Sequence, residues 1–432
     1  MSTAILELND AAMHLGIDGA LVQTSVGYSV LNQQKLLIGN LAQQNAKLLP
    51  RWTNNRFWNQ LNTDNINNAT TEIRHHADLA FAHLEDLARE TAVDSLVLAV
   101  PAFYDKSQLG LLLGMCKEAR LPVTSLVDMS LLAVASQPSH PNALFLDVGL
   151  HRITLTSVRT DGAIRQVGYQ TVVETGLATF WDRWASLIAE QFIQSSRFDP
   201  MHEAASEQKL FNQIPAFMAN NVESKILTFE LDLGNVKHST TLSKDQLLGA
   251  TASAYPAIVQ NIRQLAPTSE PLSLFVSNRF SYFPDLAASL ALIPNLDITY
   301  LDQDHMIKAG HQLWDKLGAG SDNVSHITTL AITSTRPSAG RNTARASHLL
   351  VGKNAYSIRK SRMLVSARNG ELQEGREGAV AIIGLDANQA QLRILTAGIR
   401  LNGTAFDSGV HTLAPGDVLD IQGDSAQVIA ER

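Results

Sequence analysis

Strand-like and helix-like segments alternate through the first 330 residues of this 432-residue chain. Residues 95–101 form a short apolar run that predicts a buried strand. Apolar residues at helical spacing follow over 107–121, and a second strand pattern follows at 123–129. This alternation favours an α/β fold in which helices cover the faces of a sheet.

The character of the sequence changes near residue 332. Residues 332–347 are rich in Ser, Thr, Arg, Pro and Gly, which is typical of a linker. Short β-type runs with turn signals every eight to twelve residues follow over 348–432 and predict a small all-β sandwich. We therefore predict an α/β domain over 1–331, a linker over 332–347 and a β-domain over 348–432.

Several absences narrow the class of protein. The single cysteine, Cys116, allows no internal disulfide, and no apolar run reaches the roughly 18 residues of a membrane span. The first ten residues have no basic region or cleavage site typical of a signal peptide. We expect a cytoplasmic protein with no membrane span.

The distribution of charged residues and of histidines argues against nucleic acid and metal ions as ligands. The formal net charge is −7, yet residues 323–370 contain eight Lys or Arg and no Asp or Glu. Because this basic segment contains a single aromatic residue, Tyr356, it predicts a solvated surface and not a nucleic-acid site. His75 and His76 have no other metal ligand at suitable spacing, so we predict no metal site.

A hairpin pattern at 144–162 resembles a phosphate-binding loop that has lost its glycines. An apolar run ends at Asp147 and Gly149, and alternating apolar residues resume after Leu150, His151 and Arg152. Glycine is common at such loops because backbone N–H groups must approach phosphate oxygens closely.

One segment carries a specific family resemblance. Residues 100–136 resemble the DnaK-type heat-shock chaperones at Val100, Pro101, Ala102, Ser107 and Gln108. Further similar segments follow in the family's order across 1–330. The resemblance implies an actin-like fold of two α/β lobes around a cleft that binds ATP and Mg²⁺.

The resemblance also identifies what is missing from the cleft. Where the family's second phosphate loop has three glycines, only Gly149 remains, and the adenosine loop reads Ser277-Asn278-Arg279. At the first phosphate loop either Asn9 or Asp10 takes the place of the family's Asp. The degenerate cleft that we predict comprises Asn9, Asp10, Gly149, His151, Arg152, Gly176, Ser277 and Asn278.

Acidic residues survive where the glycines do not. The resemblance makes Asp10, Asp128 and Asp147 remnants of the acids that order Mg²⁺ and its waters. Alternatively, Asp128 and Asp147 cap turns at strand ends, and His151 and Arg152 could supply positive charge to an anion. We expect no cofactor, with ATP and Mg²⁺ as the alternative, and side chains of 150–152 packed against residues 9–13.

The β-domain over 348–432, called the tail below, resembles a forkhead-associated domain. Lys353 takes the place of an Arg in that family, and Asn402-Gly403 and Gly416-Asp417 match later motifs. Phosphate contact would depend on Lys353, Arg359, Arg362 and Asn402. The family's phosphate-adjacent Asn is replaced by Ala397, which favours binding of unmodified protein.

These observations predict a catalytically inactive pseudo-ATPase that acts as a protein-binding scaffold or adaptor. One alternative is an ATP-binding DnaK-type relative with a non-standard nucleotide site. A second alternative is an adaptor that binds phosphopeptides through the tail.

Overall fold

The computed structural model of the chain divides into two compact units, Met1–Thr335 and Arg336–Arg432. Of the predicted linker, only residues 346 and 347 are described. The described residues are 2–33, 35–89, 93–135, 137–221, 224–234, 236–265, 270–317, 324–331, 346–358, 361–368, 371–386, 389–396, 399–401, 404–406, 408–413, 416–422 and 424–429.

Strands and helices are interleaved in the first unit, and the predicted α/β class is confirmed. Its described strands are β1 (Thr3–Glu7), β2 (Met13–Ile17), β3 (Ala20–Ser25), β4 (Ser29–Asn32), β5 (Lys35–Ile38), β6 (Thr53–Asn54), β7 (Ser95–Val100), β8 (Val123–Asp128), β9 (Asn142–Val148), β10 (Arg152–Thr160), β11 (Ile164–Val173), β12 (Ile226–Asp232), β13 (Lys237–Ser243), β14 (Leu272–Val276), β15 (Leu296–Tyr300), β16 (Ser325–Ile327) and β17 (Thr329–Leu330).

The described helices of the same unit vary from one turn to five. They are α1 (Gly39–Gln43), α2 (His76–Ala88), α3 (Lys106–Glu118), α4 (Met129–Val134), α5 (Leu177–Ser196), α6 (Ala204–Asn221), α7 (Lys244–Thr251), α8 (Tyr255–Leu265), α9 (Leu286–Leu290), α10 (His305–Gln312) and α11 (Trp314–Leu317). Within the described ranges, none of these helices has the length and apolar composition that crossing a membrane requires.

Two six-stranded sheets repeat one strand pattern. The first sheet has the order β16-β8-β7-β1-β2-β3, and the second has the order β15-β14-β9-β10-β11-β17. Each contains a three-stranded antiparallel meander, β1-β2-β3 or β9-β10-β11. Two parallel strands continue each sheet from the first strand of its meander, β7 and β8 in one and β14 and β15 in the other. The β1–β2 and β9–β10 turns are therefore equivalent positions of the two sheets.

The two sheets share one apolar core. Helix α4 is buried along its whole length, and it packs in a cluster with Ile5 and Val97 of the first sheet and Phe145 and Phe275 of the second. The central strands are mainly apolar because both of their faces are covered. The far face of the second sheet packs against α5 through Phe180 and its neighbours.

A short segment near the end of the unit completes both sheets. Strand β16 pairs in parallel with β8, where Ser325 faces Ser125. Strand β17 follows directly and pairs antiparallel with β11, where Leu330 faces Ile164. Residues 324–331 therefore add an edge strand to each sheet in turn.

The second unit, in its described residues, consists of strands. They are β18 (His348–Val351), β19 (Asn354–Ser357), β20 (Arg362–Arg368), β21 (Glu371–Glu374), β22 (Ala381–Asp386), β23 (Gln389–Ile394), β24 (Ile399–Leu401), β25 (Thr404–Phe406), β26 (Gly409–Thr412), β27 (Val418–Ile421) and β28 (Asp424–Ile429). A six-stranded sheet, β19-β18-β28-β27-β24-β25, and a five-stranded sheet, β21-β20-β22-β23-β26, contribute to one apolar cluster.

Candidate functional site

The turns of the two meanders meet and bond to each other. The side-chain amide of Asn9 donates to Asp147 Oδ2 at 2.7 Å and to the carbonyl of Val148 at 3.1 Å. In the other direction, the backbone N–H of Leu150 donates to Asp10 Oδ1 at 2.7 Å. Asn9 and Asp10 thus both cross from the first sheet to the second, so neither is an isolated turn residue.

The surviving glycine of the second turn is required by a protein group. A Cβ atom on Gly149 would stand 2.5 Å from Asp10 Oδ1, which is too close for any side chain. An internal carboxylate oxygen therefore lies against this turn and accepts an N–H of the kind that binds phosphate in related turns.

The N-terminus of α5 is also engaged by this turn. Leu177 N–H donates to the carbonyl of Gly149 at 2.9 Å, and Ala178 N–H donates to that of Leu150 at 3.0 Å. A Cβ on Gly176 would lie 2.4 Å from the Leu150 carbonyl oxygen, so this glycine permits the close approach. Amide groups at a helix N-terminus are a ready anion site. Here two of them bind carbonyl oxygens of the chain itself.

A buried arginine joins the acidic residues of the two sheets. Arg279 Nη2 lies 2.9 Å from Glu7 Oε1, and Nη1 lies 3.4 Å from Asp147 Oδ1. Nη2 also donates to the carbonyl of Ala12 at 2.6 Å. His14 Nδ1 donates to the second Glu7 oxygen at 2.8 Å. The guanidinium therefore supplies internal positive charge between carboxylates from both halves of the unit.

The pKa of Glu7 reflects this arrangement. Burial raises the pKa, but the charge of Arg279 and the hydrogen bond from His14 outweigh burial and hold it below the usual 4.5. Glu7 is therefore ionised at neutral pH although only 1% of its surface is exposed.

The other predicted loop residues are distributed around Arg279. Ser277 Oγ accepts from Arg279 Nη1 at 3.2 Å, so Ser277 belongs to the same network. Asn278 begins a short 3-10 turn, Asn278–Phe280, that directs Arg279 inward.

The packing expected between residues 150–152 and residues 9–13 is found in part. Leu150 shares an apolar cluster with Ala11, and Arg152 lines one cavity with Asn9 and Asp10, but His151 and Arg152 make their side-chain hydrogen bonds elsewhere. Arg152 Nε donates to Asn59 Oδ1 at 2.6 Å, and its guanidinium lies 4.0 Å from the ring centre of Phe103. His151 Nε2 lies 3.0 Å from the carbonyl oxygen of Asn55. Burial lowers the pKa of His151 to about 4, so this ring is neutral at physiological pH and supplies no charge to an anion.

Asp128 lies at the start of α4. Its Oδ1 accepts the N–H of Ser130 at 2.9 Å, and it also accepts the Ser130 hydroxyl, so it caps the helix. Burial raises the pKa of Asp128 to about 6, and burial likewise raises that of Asp10 to about 6. In both residues burial outweighs the hydrogen bonds that would lower the pKa.

The three acids singled out from the sequence line one small cavity. Asp10, Asp128 and Asp147 share it with Arg152, Trp58 and neighbouring groups, and its volume is about 30 Å³. Pockets that hold cofactors are of the order of 300–1,000 Å³, so this cavity is smaller than a typical cofactor pocket. No group of three or more His, Cys, Asp or Glu side chains within the described ranges is arranged to hold a metal ion.

The tail residues with a predicted phosphate role are partly described. Lys353 lies exposed in the turn between β18 and β19. Arg362 donates from Nε to the carbonyl of Ser357 at 2.6 Å and forms an ion pair with Glu374. Arg359 and Asn402 lie outside the described residues.

Sequence reasoning missed the centre of the site. Glu7, His14 and Arg279 were not among the predicted cleft residues, although Arg279 ended the degenerate adenosine loop. One signal was present, because Glu7 interrupts an apolar strand and a buried charge needs a partner.

Comparison with known proteins does not identify a family for this chain. No protein-family model matches the sequence, and no curated protein matches it either.

Proposed function

We propose that this chain is a catalytically inactive relative of the actin and heat-shock ATPases and that it acts as a cytoplasmic protein-binding scaffold. The repeated pattern of a meander followed by two parallel strands supports a two-lobed fold of that kind. The meeting of the two equivalent turns supports a cleft between the lobes.

The buried Arg279 carries the proposal. It neutralises Glu7 and Asp147, and the resemblance gives Asp147 the place of an acid that orders Mg²⁺ in active relatives. Replacing this internal cation with Mg²⁺ and a nucleotide would require an ion pair with both partners buried to break. Leaving a buried charge without its partner costs about 3–5 kcal/mol.

The anion-binding groups of the turns support the same conclusion. Asp10 accepts the Leu150 N–H, and the carbonyls of Gly149 and Leu150 accept the first amides of α5. A phosphate would have to displace these internal acceptors one by one.

The tail supports the scaffold part of the proposal. Six-stranded and five-stranded sheets around one core are consistent with a forkhead-associated-like sandwich. Because Glu374 already neutralises Arg362, the tail favours an unmodified protein over a phosphopeptide. A β-domain of this kind offers loops and strand edges for protein contact.

Calorimetric titration of the full chain with ATP·Mg²⁺ tests the inactive cleft, with a DnaK-type chaperone as the positive control. We expect no binding heat at micromolar to millimolar nucleotide. Micromolar binding that Asp147→Ala abolishes and the exposed-turn variant Asp161→Ala retains would overturn the proposal. That result would support the ATP-binding alternative, which the convergence of three carboxylates on one cavity favours.

Affinity capture from the source cell tests the scaffold role separately. We expect the full chain to retain the same protein partner in the presence and absence of ATP. A partner released by ATP, or capture that depends on phosphatase-sensitive groups, would contradict an inert scaffold.

A further inference from the structure

A second cavity lies away from the cleft, between residues 43–47 and helices α5 and α6. Its volume is about 170 Å³, and it shares no lining residue with the cleft cavity. It is lined by Tyr28, Gln43, Gln44, Ala46, Lys47, Trp181, Gln208, Phe211, Asn212 and Pro215.

Three of the ten lining residues of this cavity are aromatic, and the others are mainly polar. Tyr28 and Trp181 are buried, with 9% and 6% of their surfaces exposed, and Phe211 is half-buried. An apolar cavity of about 150 Å³ binds benzene in a well-studied protein. A volume of about 170 Å³ is therefore suited to one six-membered ring.

Amide groups surround the ring site. Gln208 accepts the backbone N–H of Lys47 at 2.6 Å and donates to the Gln43 carbonyl at 3.0 Å and to Asn212 Oδ1 at 2.8 Å. These bonds fix the Gln208 side chain between the two halves of the cavity. Asn212 has its N–H₂ group left to donate, and Gln44 is exposed at the rim. A ligand hydroxyl would find both donors and acceptors here.

The charges at the rim select against an anion. Lys47 Nζ lies 3.6 Å from the ring centre of Phe211, but it also lies 3.1 Å from Asp182 and 3.6 Å from Glu207. Two carboxylates thus surround the single lining cation, which leaves a net negative rim. A neutral ligand is favoured over a carboxylate or a phosphate.

We propose that this cavity binds a neutral phenol ring, either as a free small molecule or as a tyrosine side chain of a partner. The ring stacks among Tyr28, Trp181 and Phe211, and the hydroxyl bonds to the amide groups at the rim. The proposal does not depend on the inactive cleft, because nucleotide titration and phenol titration address different cavities.

Ligand-observed NMR and calorimetry with p-cresol test the proposal on the full chain. We expect p-cresol to bind with a Kd of about 1 mM or below. Toluene, which lacks the hydroxyl, should bind about fivefold more weakly. 4-Methylbenzoate, the same ring with a negative charge, should bind at least about tenfold more weakly.

Variants locate the binding. Phe211→Ala should weaken p-cresol binding at least about tenfold, and the rim variant Asn212→Ala about fivefold. Asn220→Ala, on the same helix but outside the cavity, should leave it unchanged. Absence of p-cresol binding to the wild-type chain, equal binding of 4-methylbenzoate, or unchanged binding in both cavity variants would each overturn the proposal.

A short peptide with one tyrosine distinguishes the two sources. Binding tighter than that of p-cresol, and lost in Asn212→Ala, supports a partner's side chain. Weaker binding of the peptide, with p-cresol binding retained, supports a free phenol as the ligand.

Discussion

Glu7 and Arg279 form an ion pair of 2.9 Å between the two halves of the first unit. Glu7 ends a strand of the first sheet, and Arg279 follows a strand of the second. Both are almost inaccessible to water, with 1% and 6% of their surfaces exposed. Each charge is therefore stabilised chiefly by the other. Removing one of the two charges by substitution tests this directly.

The variant Arg279→Met should lower the free energy of unfolding by about 3–5 kcal/mol at pH 8. Burial then acts on Glu7 without its main compensating charge, so the Glu7 pKa rises above its usual value. The loss of stability caused by the buried Glu7 charge is therefore present above this raised pKa, and it becomes smaller as Glu7 is protonated at lower pH. Urea unfolding should therefore find a smaller difference from the wild type near pH 5.

The matched control is Arg263→Met, because Arg263 is exposed on α8. It should change stability by less than about 0.5 kcal/mol. An Arg279→Met variant as stable as the wild type at pH 8 would show that Glu7 and Asp147 do not need the guanidinium.

The two glycines Gly176 and Gly168 should respond oppositely to alanine. A Cβ on Gly176 would lie 2.4 Å from a backbone oxygen, so Gly176→Ala should cost about 1–3 kcal/mol. A Cβ on Gly168 meets nothing within 4 Å, so Gly168→Ala should be neutral or stabilising. Thermal unfolding of both variants measures the contrast. Equal melting temperatures would contradict the close approach of α5 to the turn.

Asp128 should make stability fall as the pH rises. Its folded pKa of about 6 lies above the ordinary 3.8, so the folded state binds the extra proton between these values. The stability that this provides is complete below about pH 4 and is lost as the pH rises through 6. Asp128→Asn keeps a helix-capping oxygen and removes the charge. The free energy of unfolding of this variant should exceed that of the wild type by about 2 kcal/mol at pH 8 and equal it near pH 4, as measured by denaturant unfolding.

Ser130→Ala provides the comparison for that experiment. It removes the hydroxyl that bonds to Asp128 without changing the charge. The change in the free energy of unfolding caused by Ser130→Ala should persist at pH 8. An Asp128→Asn variant that is less stable than the wild type at pH 8 would contradict the proposed cost of ionising Asp128.

Arg152 should not tolerate lysine. Its guanidinium donates to the side chain of Asn59 and lies 4.0 Å from the ring centre of Phe103, and an ammonium group reproduces this pair of contacts poorly. Arg152→Lys should cost about 1 kcal/mol in urea unfolding. Arg165→Lys, at an exposed position of the neighbouring strand, should cost nothing measurable. Equal effects of the two substitutions would contradict the stacking role.

The sequence predicted the class of the first unit but not the centre of its cleft. Alternating apolar runs are local, so they indicated strands and helices correctly. The network at Arg279 depends on pairing with Glu7, which lies far away along the chain and in the other sheet. The interpretation of 277–279 as a loop without the glycines of the resembled family overlooked the ion pairs that Arg279 makes.

The prediction for residues 150–152 did not include the hydrogen-bond partners of His151 and Arg152, for a similar reason. The turn itself contacts residues 9–13, because the backbone N–H of Leu150 donates to Asp10 Oδ1. The side chains of His151 and Arg152 instead reach Asn55 and Asn59. Where a side chain points after a turn depends on the register of the strand that follows, which single-sequence patterns do not fix.

The late position of residues 324–331 has a consequence for synthesis on the ribosome. Ser325 must find Ser125, and Leu330 must find Ile164, before either sheet has its last strand. Pairings between such distant segments form slowly, and incomplete sheets expose unpaired strand edges. The nascent chain therefore has two open sheets until about residue 330 has emerged. A chaperone that shields strand edges would matter most during that interval, and premature termination before 324 would give an aggregating fragment.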